Sequence, residues 1–329
     1  MVSILRSTFC LLLFAVCAGA QTSAQLLLVL EKSDKTLAII DPASRKVIAR
    51  VPAGEDPHEI VADGHFAYIS NYGAFQNPQH TISVVDLAEH KALPAIDIGS
   101  LRAPHGLELV NGKVYFTAEG SKAIGRYDPA THRIDWILGL GQNRTHMLVV
   151  DRDENRIFTS NVNSDSISIL DRDSKADASG WSQTTISVGK GPEGFDVSPD
   201  GKHLWAANSH DGTVSVIELA TRKVSDTFNA RTKRSNRVKF TPDGKLVLIS
   251  DLETGDLLIL DALTHKEVKR LNLGHGVAGI LFAPDGTRAY VAVSPDSNVA
   301  VVDMKTFAVI AHISTGRGPD GMAWSNSNQ

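Results

Sequence analysis

Three histidines of this chain stand in closely matched settings: Pro57-His58, Pro104-His105 and Thr145-His146. The same setting recurs with a carboxylate at Pro192-Glu193, and Asn236, Ala278 and Asp320 continue the series. Imidazoles with a carboxylate suit zinc, copper, iron or nickel, and open positions on such an ion take water or substrate. A metal centre of His58, His105, His146 and Glu193 is therefore expected as one use of these residues, with Glu193 the candidate catalytic base. A second polar series reads Asn71, Glu119, Asn161, Asn208, Asp251, Val293 and Glu31. Within it, Glu31, Asn161, Asn208 and Asp251 offer the hard oxygens that calcium prefers. The plain alternative is a polar mouth without metal. Histidines there bond neighbouring backbone, and asparagines satisfy loop N–H groups.

These residues are placed by a repeat. A run of alternating apolar residues ending in an acid occurs seven times, closing at Asp41, Asp86, Asp128, Asp171, Glu218, Asp261 and Asp303. The acids lie 42 to 47 residues apart, the length of one four-stranded blade. Ser198-Pro-Asp-Gly201, Thr241-Pro-Asp-Gly244 and Ala283-Pro-Asp-Gly286 are tight turns in the same phase, with proline and glycine at the corners that need them. The spacing predicts an all-β, seven-bladed β-propeller of four-stranded blades. Gln25 to Pro52 supplies three strands of a blade, and Gly321 to Ser325 supplies the missing innermost one. The C-terminal strand is thus expected to pair with the N-terminal blade and close the ring. Each acid is expected to accept backbone N–H bonds in the following turn.

Chain direction puts both polar series on one face, called the top. His58, His105, His146, Glu193, Asn236, Ala278 and Asp320 begin the innermost strands; Asn71 to Glu31 end the second strands. Both are expected at the channel mouth. The enlarged loop Gly73–His80 belongs to the same face, so His80 joins the binding-face candidates Asn71, Glu119, Asn161, Asn208, Asp251, Glu31, Asp320 and Asn236. Arg231, Lys233, Arg234 and Arg237 form a local basic patch nearby.

Gly191-Pro-Glu-Gly, Ser198-Pro-Asp-Gly-Lys, Leu204-Trp-Ala-Ala-Asn and Thr213-Val-Ser-Val-Ile closely resemble the YVTN-type seven-bladed β-propeller repeat family. Ala289-Tyr-Val-Ala with Val299-Ala-Val-Val-Asp is a second copy. Blades two to four depart from the repeat, with Val110-Asn-Gly-Lys and Asp151-Arg-Asp-Glu-Asn in place of the usual turn. The resemblance implies an exported or surface propeller and no single activity. The oxygen set Glu31, Asn161, Asn208 and Asp251 is also similar to the calcium ligands of gluconolactonase-like propellers, which have six blades.

Composition narrows the function classes. A net charge of −4 gives no basic field for nucleic acid. Arg6, the apolar run Phe9–Ala18 and Ala18-Gly19-Ala20 read as a signal peptide over residues 1–20, cleaved before Gln21. Residues 21–329 then form a single domain, periplasmic or secreted, with no membrane span. Both cysteines, Cys10 and Cys17, fall in the leader, so no c-type haem attachment and no thiolate site is expected in the mature chain. No dinucleotide or phosphate-loop fingerprint appears. The expected partner is a small molecule or protein at the top face, bound by a monomer. The alternative is a metal-dependent lactonase- or lyase-type enzyme at the same mouth.

Overall fold

The computed structural model describes residues 25–326 except 75, 174 and 176–178. The leader, Cys17 and the cleavage point before Gln21 lie outside the described residues.

Among the described residues, twenty-eight strands form seven four-stranded antiparallel sheets arranged as a ring of blades. The first blade takes its innermost strand, Pro319–Trp324, from the C-terminal end, paired antiparallel with Leu27–Glu31. Trp324 fixes this closure from two sides. Its ring meets Tyr290 at 5.2 Å, and its Nε1–H donates to the carbonyl of Phe282 at 2.7 Å, both on the seventh blade. The core is a set of seven apolar clusters, each shared by two neighbouring blades. Outermost strands such as Lys46–Pro52 alternate exposed and covered residues, which marks the solvent edge.

The third-strand acids act structurally. Asp41, Asp86, Asp128, Asp261 and Asp303 accept backbone N–H bonds in the next turn. Two differ: Asp171 meets Arg156 and Arg222, and Glu218 accepts from the Thr221 hydroxyl.

One irregularity repeats in every blade and sets up the top face. In the second blade Pro57 pairs with Asn71 but Ile60 pairs with Ile69, so His58 and Glu59 together oppose Ser70. The same extra residue occurs at the start of all the innermost strands. Such a bulge re-aims side chains and leaves its own N–H groups unpaired. Hydroxyls repair the loss. Ser70 accepts from Glu59 N–H and donates to the His105 carbonyl at 2.7 Å. Thr117 accepts from Gly106 N–H and donates to the His146 carbonyl at 2.7 Å. Ser160 accepts from Met147 N–H and donates to the Glu193 carbonyl at 2.9 Å. Each hydroxyl therefore ties one blade's bulge to the next blade's channel residue.

Candidate functional site at the channel mouth

The bulges aim the first polar series into the channel. His58 and His105 have ring centroids 4.6 Å apart, and His105 and His146 3.8 Å. Glu193 follows, with Oε1 3.6 Å from His146 Nε2, and Asn236 Nδ2 donates to that carboxylate at 3.3 Å. Asp320 completes the arc through Lys32, whose Nζ lies 3.2 Å from Asp320 Oδ2 and donates to His58 Nε2 at 2.8 Å. A mouth cavity of about 170 Å³ is lined by His58, His105, His146, Glu193, Asn236, Ala278 and Asp320.

The second series needs a correction. In register, the partner of Pro104 is Ala118, as Asn71 is of Pro57 and Asn161 of Thr145. Glu119 therefore stands one residue further on and matches Tyr72, Lys32, Leu252 and Ser294. Alternation along a strand then decides which side each set faces. Lys32, Tyr72, Leu252 and Ser294 line the mouth cavity. Asn71, Asn161 and Asn208 instead donate to hydroxyls of the adjoining strand, Thr81 and Ser83, Ser166 and Ser168, Thr213 and Ser215. Asp251 accepts four backbone N–H bonds, from Lys233, Arg234, Glu253 and Thr254. Glu31 is taken up by Thr36, Arg50 and Gly316. The four oxygen groups of the calcium expectation are thus spent separately, each inside its own sheet or loop.

Glu119 alone of that series meets the histidines. It accepts from the Tyr72 hydroxyl at 2.7 Å and from His146 Nδ1–H, with Arg144 Nε at 3.5 Å. Burial would push its pKa up, but His146, Arg144 and Tyr72 outweigh it and hold the carboxylate ionised. Holding Nδ1–H in this way presents His146 Nε2 to the cavity. Ligand atoms of His105, Glu119 and His146, all buried, lie within 4.8 Å of one another. His58 is placed differently. Its Nδ1–H donates to the Asp56 carbonyl at 2.9 Å, so its Nε2 is the acceptor that Lys32 occupies. Burial first, then the Lys32 charge, lower its pKa to about 4. An ammonium on the only free nitrogen opposes a metal cation there. Burial and the adjacent His146 and His58 also push His105 well below the ordinary imidazole range.

Several residues at the site are not among the site residues expected from the sequence. Arg237, taken there as part of a basic patch, lies buried in the channel with Glu59 and forms the floor of the mouth. Burial opposes its charge, but Glu59, Asp320 and Glu193 outweigh that and keep it protonated. Arg231 and Lys233 pair instead with Glu267 and Glu253. Lower in the channel stand Glu108 and Lys239, with Asp196 4.0 Å from Lys239, and burial pushes Glu108 up to about 7. Position in the repeat is the signal that finds them: Glu59 and Arg237 occupy the second bulge residue, which is glycine in four other blades.

A groove of about 580 Å³ adjoins the mouth, sharing Tyr72 and Arg144 with it. The expected loop Gly73–His80 is largely a hairpin extension, with strands reaching Ala74 and restarting at Asn77. Ala74 and Pro78 form one wall of the groove. His80 is turned away and bonds Asp97 at 3.0 Å on the exposed side.

The family model for the YNCE-like beta-propeller matches residues 107–285. The chain belongs to this family. Solved structures with the same fold include a functionally unknown protein of Desulfotomaculum acetoxidans, at TM-score 0.74 and 10% identity over 91% of this chain and 98% of that one. Kuenenia stuttgartiensis hydrazine synthase aligns at TM-score 0.72 and 19% identity, covering 85% and 92%. A Bacteroides fragilis protein proposed to be a 6-phosphogluconolactonase aligns at 0.75 and 15%, covering 93% and 99%. No curated protein matches the chain. These identities establish the fold of this YNCE-like propeller, and its function rests on the site.

Proposed function

We propose that this YNCE-like propeller is an exported protein that binds a small molecule at its channel mouth, with the adjoining groove taking the less polar part of the ligand. The observation that carries the reading is a set of buried polar atoms around the cavity without hydrogen-bond partners. They are His105 Nδ1, His146 Nε2, Asn236 Oδ1, Arg237 Nη1 and Asp320 Oδ1. Native interiors seldom leave such groups unpaired, and several facing one cavity mark a place for a ligand. Export is supported by the leader read at residues 1–20. The test is a thermal-shift screen of the mature protein against a metabolite library. Compounds should raise the melting temperature of wild type and fail to do so for the double variant H105A/H146A. A library without hits, or hits that ignore the double variant, would count against the proposal.

A second reading is favoured by one observation, the convergence of His105, Glu119 and His146. These three would hold a divalent metal for lactonase- or lyase-type chemistry, with Glu193 beside His146 as a base. Both Glu119 oxygens already accept hydrogen bonds, from Tyr72 and His146, and its charge is already matched by Arg144, so a metal would compete with partners in place, and that ranks this reading below the first. Elemental analysis of untagged protein decides it: stoichiometric zinc, copper, iron or nickel, lost in E119Q, supports the metal reading, and metal-free protein removes it.

A further inference from the structure

The mouth has two halves. Histidines stand on one side, while the other side is made by Asn236, Ala278 and Asp320 above Arg237. We infer, taking the mouth as the binding site proposed above, that this second half seats a hydroxyl-rich small molecule beside Ala278, bonded by Asp320 Oδ1, Asn236 Oδ1 and Arg237 Nη1.

Three of the unpartnered atoms lie here, on residues more than nine-tenths buried. Two are acceptors and one is a donor. A hydroxyl group both donates and accepts, so vicinal hydroxyls satisfy such a mixed set. The separation fits as well. Asp320 Oδ1 is 3.8 Å from Arg237 Nη2, the nitrogen that bonds Glu59, so this carboxylate oxygen stands beside the guanidinium, beyond a direct hydrogen bond and free to accept from a hydroxyl.

Charge argues against simpler ligands. A carboxylate or phosphate entering this half meets Asp320 and Glu193, which line the same cavity as the cations Lys32, Arg144, Arg234 and Arg237. Asp56, Glu59 and Glu119 stand behind those cations as partners for Lys32, Arg237 and Arg144. The acids thus offset the cations, and no net field draws an anion. A compact cation meets the guanidinium of Arg237 at the floor. Neutral hydroxyls avoid both penalties.

Space is provided by one position. Ala278 is the only apolar member of the first series, and its methyl group stands where other blades carry histidine, glutamate, asparagine or aspartate. It lines the mouth together with Ser294, which adds a hydroxyl to the same side.

Ligand-observed NMR and calorimetry on the mature protein test this with four probes: myo-inositol, D-glucose, malonate and methylammonium. At least one of the two polyols should bind. Filling the gap with A278F should abolish that binding, and D320N should weaken it about ten-fold, as loss of one charged hydrogen bond does. Melting curves show whether A278F folds, and D320N, which keeps the shape of the side chain, decides the matter if it does not. Malonate or methylammonium binding in place of both polyols would overturn the ligand class while leaving the mouth as a binding site. Polyol binding unchanged in A278F and D320N would overturn the seat. If none of the four probes binds and the metabolite library yields no stabilising compound, both this inference and the reading beneath it fall.

Discussion

Arg237 of the sixth blade and Glu59 of the second meet across the channel as a buried ion pair, with Asp320 of the first blade 3.8 Å from the same guanidinium nitrogen. Arg237 lines both the mouth and the lower channel, and the pair joins two blades that share no sheet. Removing one partner leaves the other charge buried and uncompensated, which costs about 3–5 kcal/mol. Replacing both with apolar residues of similar size is far milder. R237M should therefore lower unfolding stability by about that amount, and R237M/E59M should recover much of it. Chemical denaturation of the two variants checks this; equal losses in both would show that the pair is not coupled.

Thr117 is a second coupling point. Its hydroxyl serves Gly106 N–H on one blade and the His146 carbonyl on the next, at 2.8 and 2.7 Å. T117V keeps the shape and leaves two buried backbone groups unsatisfied. The expected cost is about 1–3 kcal/mol. Denaturant midpoints measure it, and a change below a few tenths would mean that the bulge is held by other contacts.

His58 gives the molecule a defined pH response. Its folded pKa is about 4 against 6.5 unfolded, because burial and Lys32 disfavour the imidazolium. Between these values the unfolded chain binds the proton and the folded chain does not, so stability falls as pH drops from 6.5 toward 4. The groups facing His58 are Lys32, Asp56, Asp320, His105 and Tyr72. Glu108 works in the opposite sense, since its raised pKa costs stability as pH climbs from 4.5 to 7. The readout is therefore the difference between wild type and H58N. That difference should grow in favour of wild type by about 3 kcal/mol from pH 4 to pH 7. A flat difference would mean that His58 titrates normally.

Ring closure is tested by truncation. Deleting residues 318–329 removes the strand Pro319–Trp324, exposes the edge of Leu27–Glu31 and uncovers Tyr290 on the seventh blade. Open edges and apolar surface promote association. The truncated protein should aggregate or lose its cooperative transition in light scattering and calorimetry; an unchanged melting curve would contradict closure by this strand.

Much of this molecule was legible because the repeat is covalent. Seven acids at 42- to 47-residue spacing state the blade count, and the missing innermost strand of the first blade states the closure. The phase of His58, His105 and His146 placed them together for the same reason. What failed was register. Taking Glu119 as the top end of its second strand, in line with Asn71, is one residue out: Ala118 holds that position, and one residue along a strand exchanges the two faces. The same one-residue offset hides Tyr72 and Lys32. Arg237 is hidden in its own segment, which reads only as a basic patch; its place in the channel shows when the blades are compared, since four others carry glycine there. Charge neighbours such as Lys32 on His58 come from different blades, and their approach is a tertiary fact.

The most direct test of the central claim is histidine-selective ¹⁵N NMR of the mature protein during titration with a stabilising compound from the metabolite screen. His105 Nδ1 and His146 Nε2, both buried without hydrogen-bond partners, should shift in a saturable way at the same ligand concentration as the melting temperature. His80, turned to the exposed side with Asp97, should not move. Stabilisation that leaves the His105 and His146 resonances unchanged would place the ligand elsewhere and contradict the mouth as the binding site.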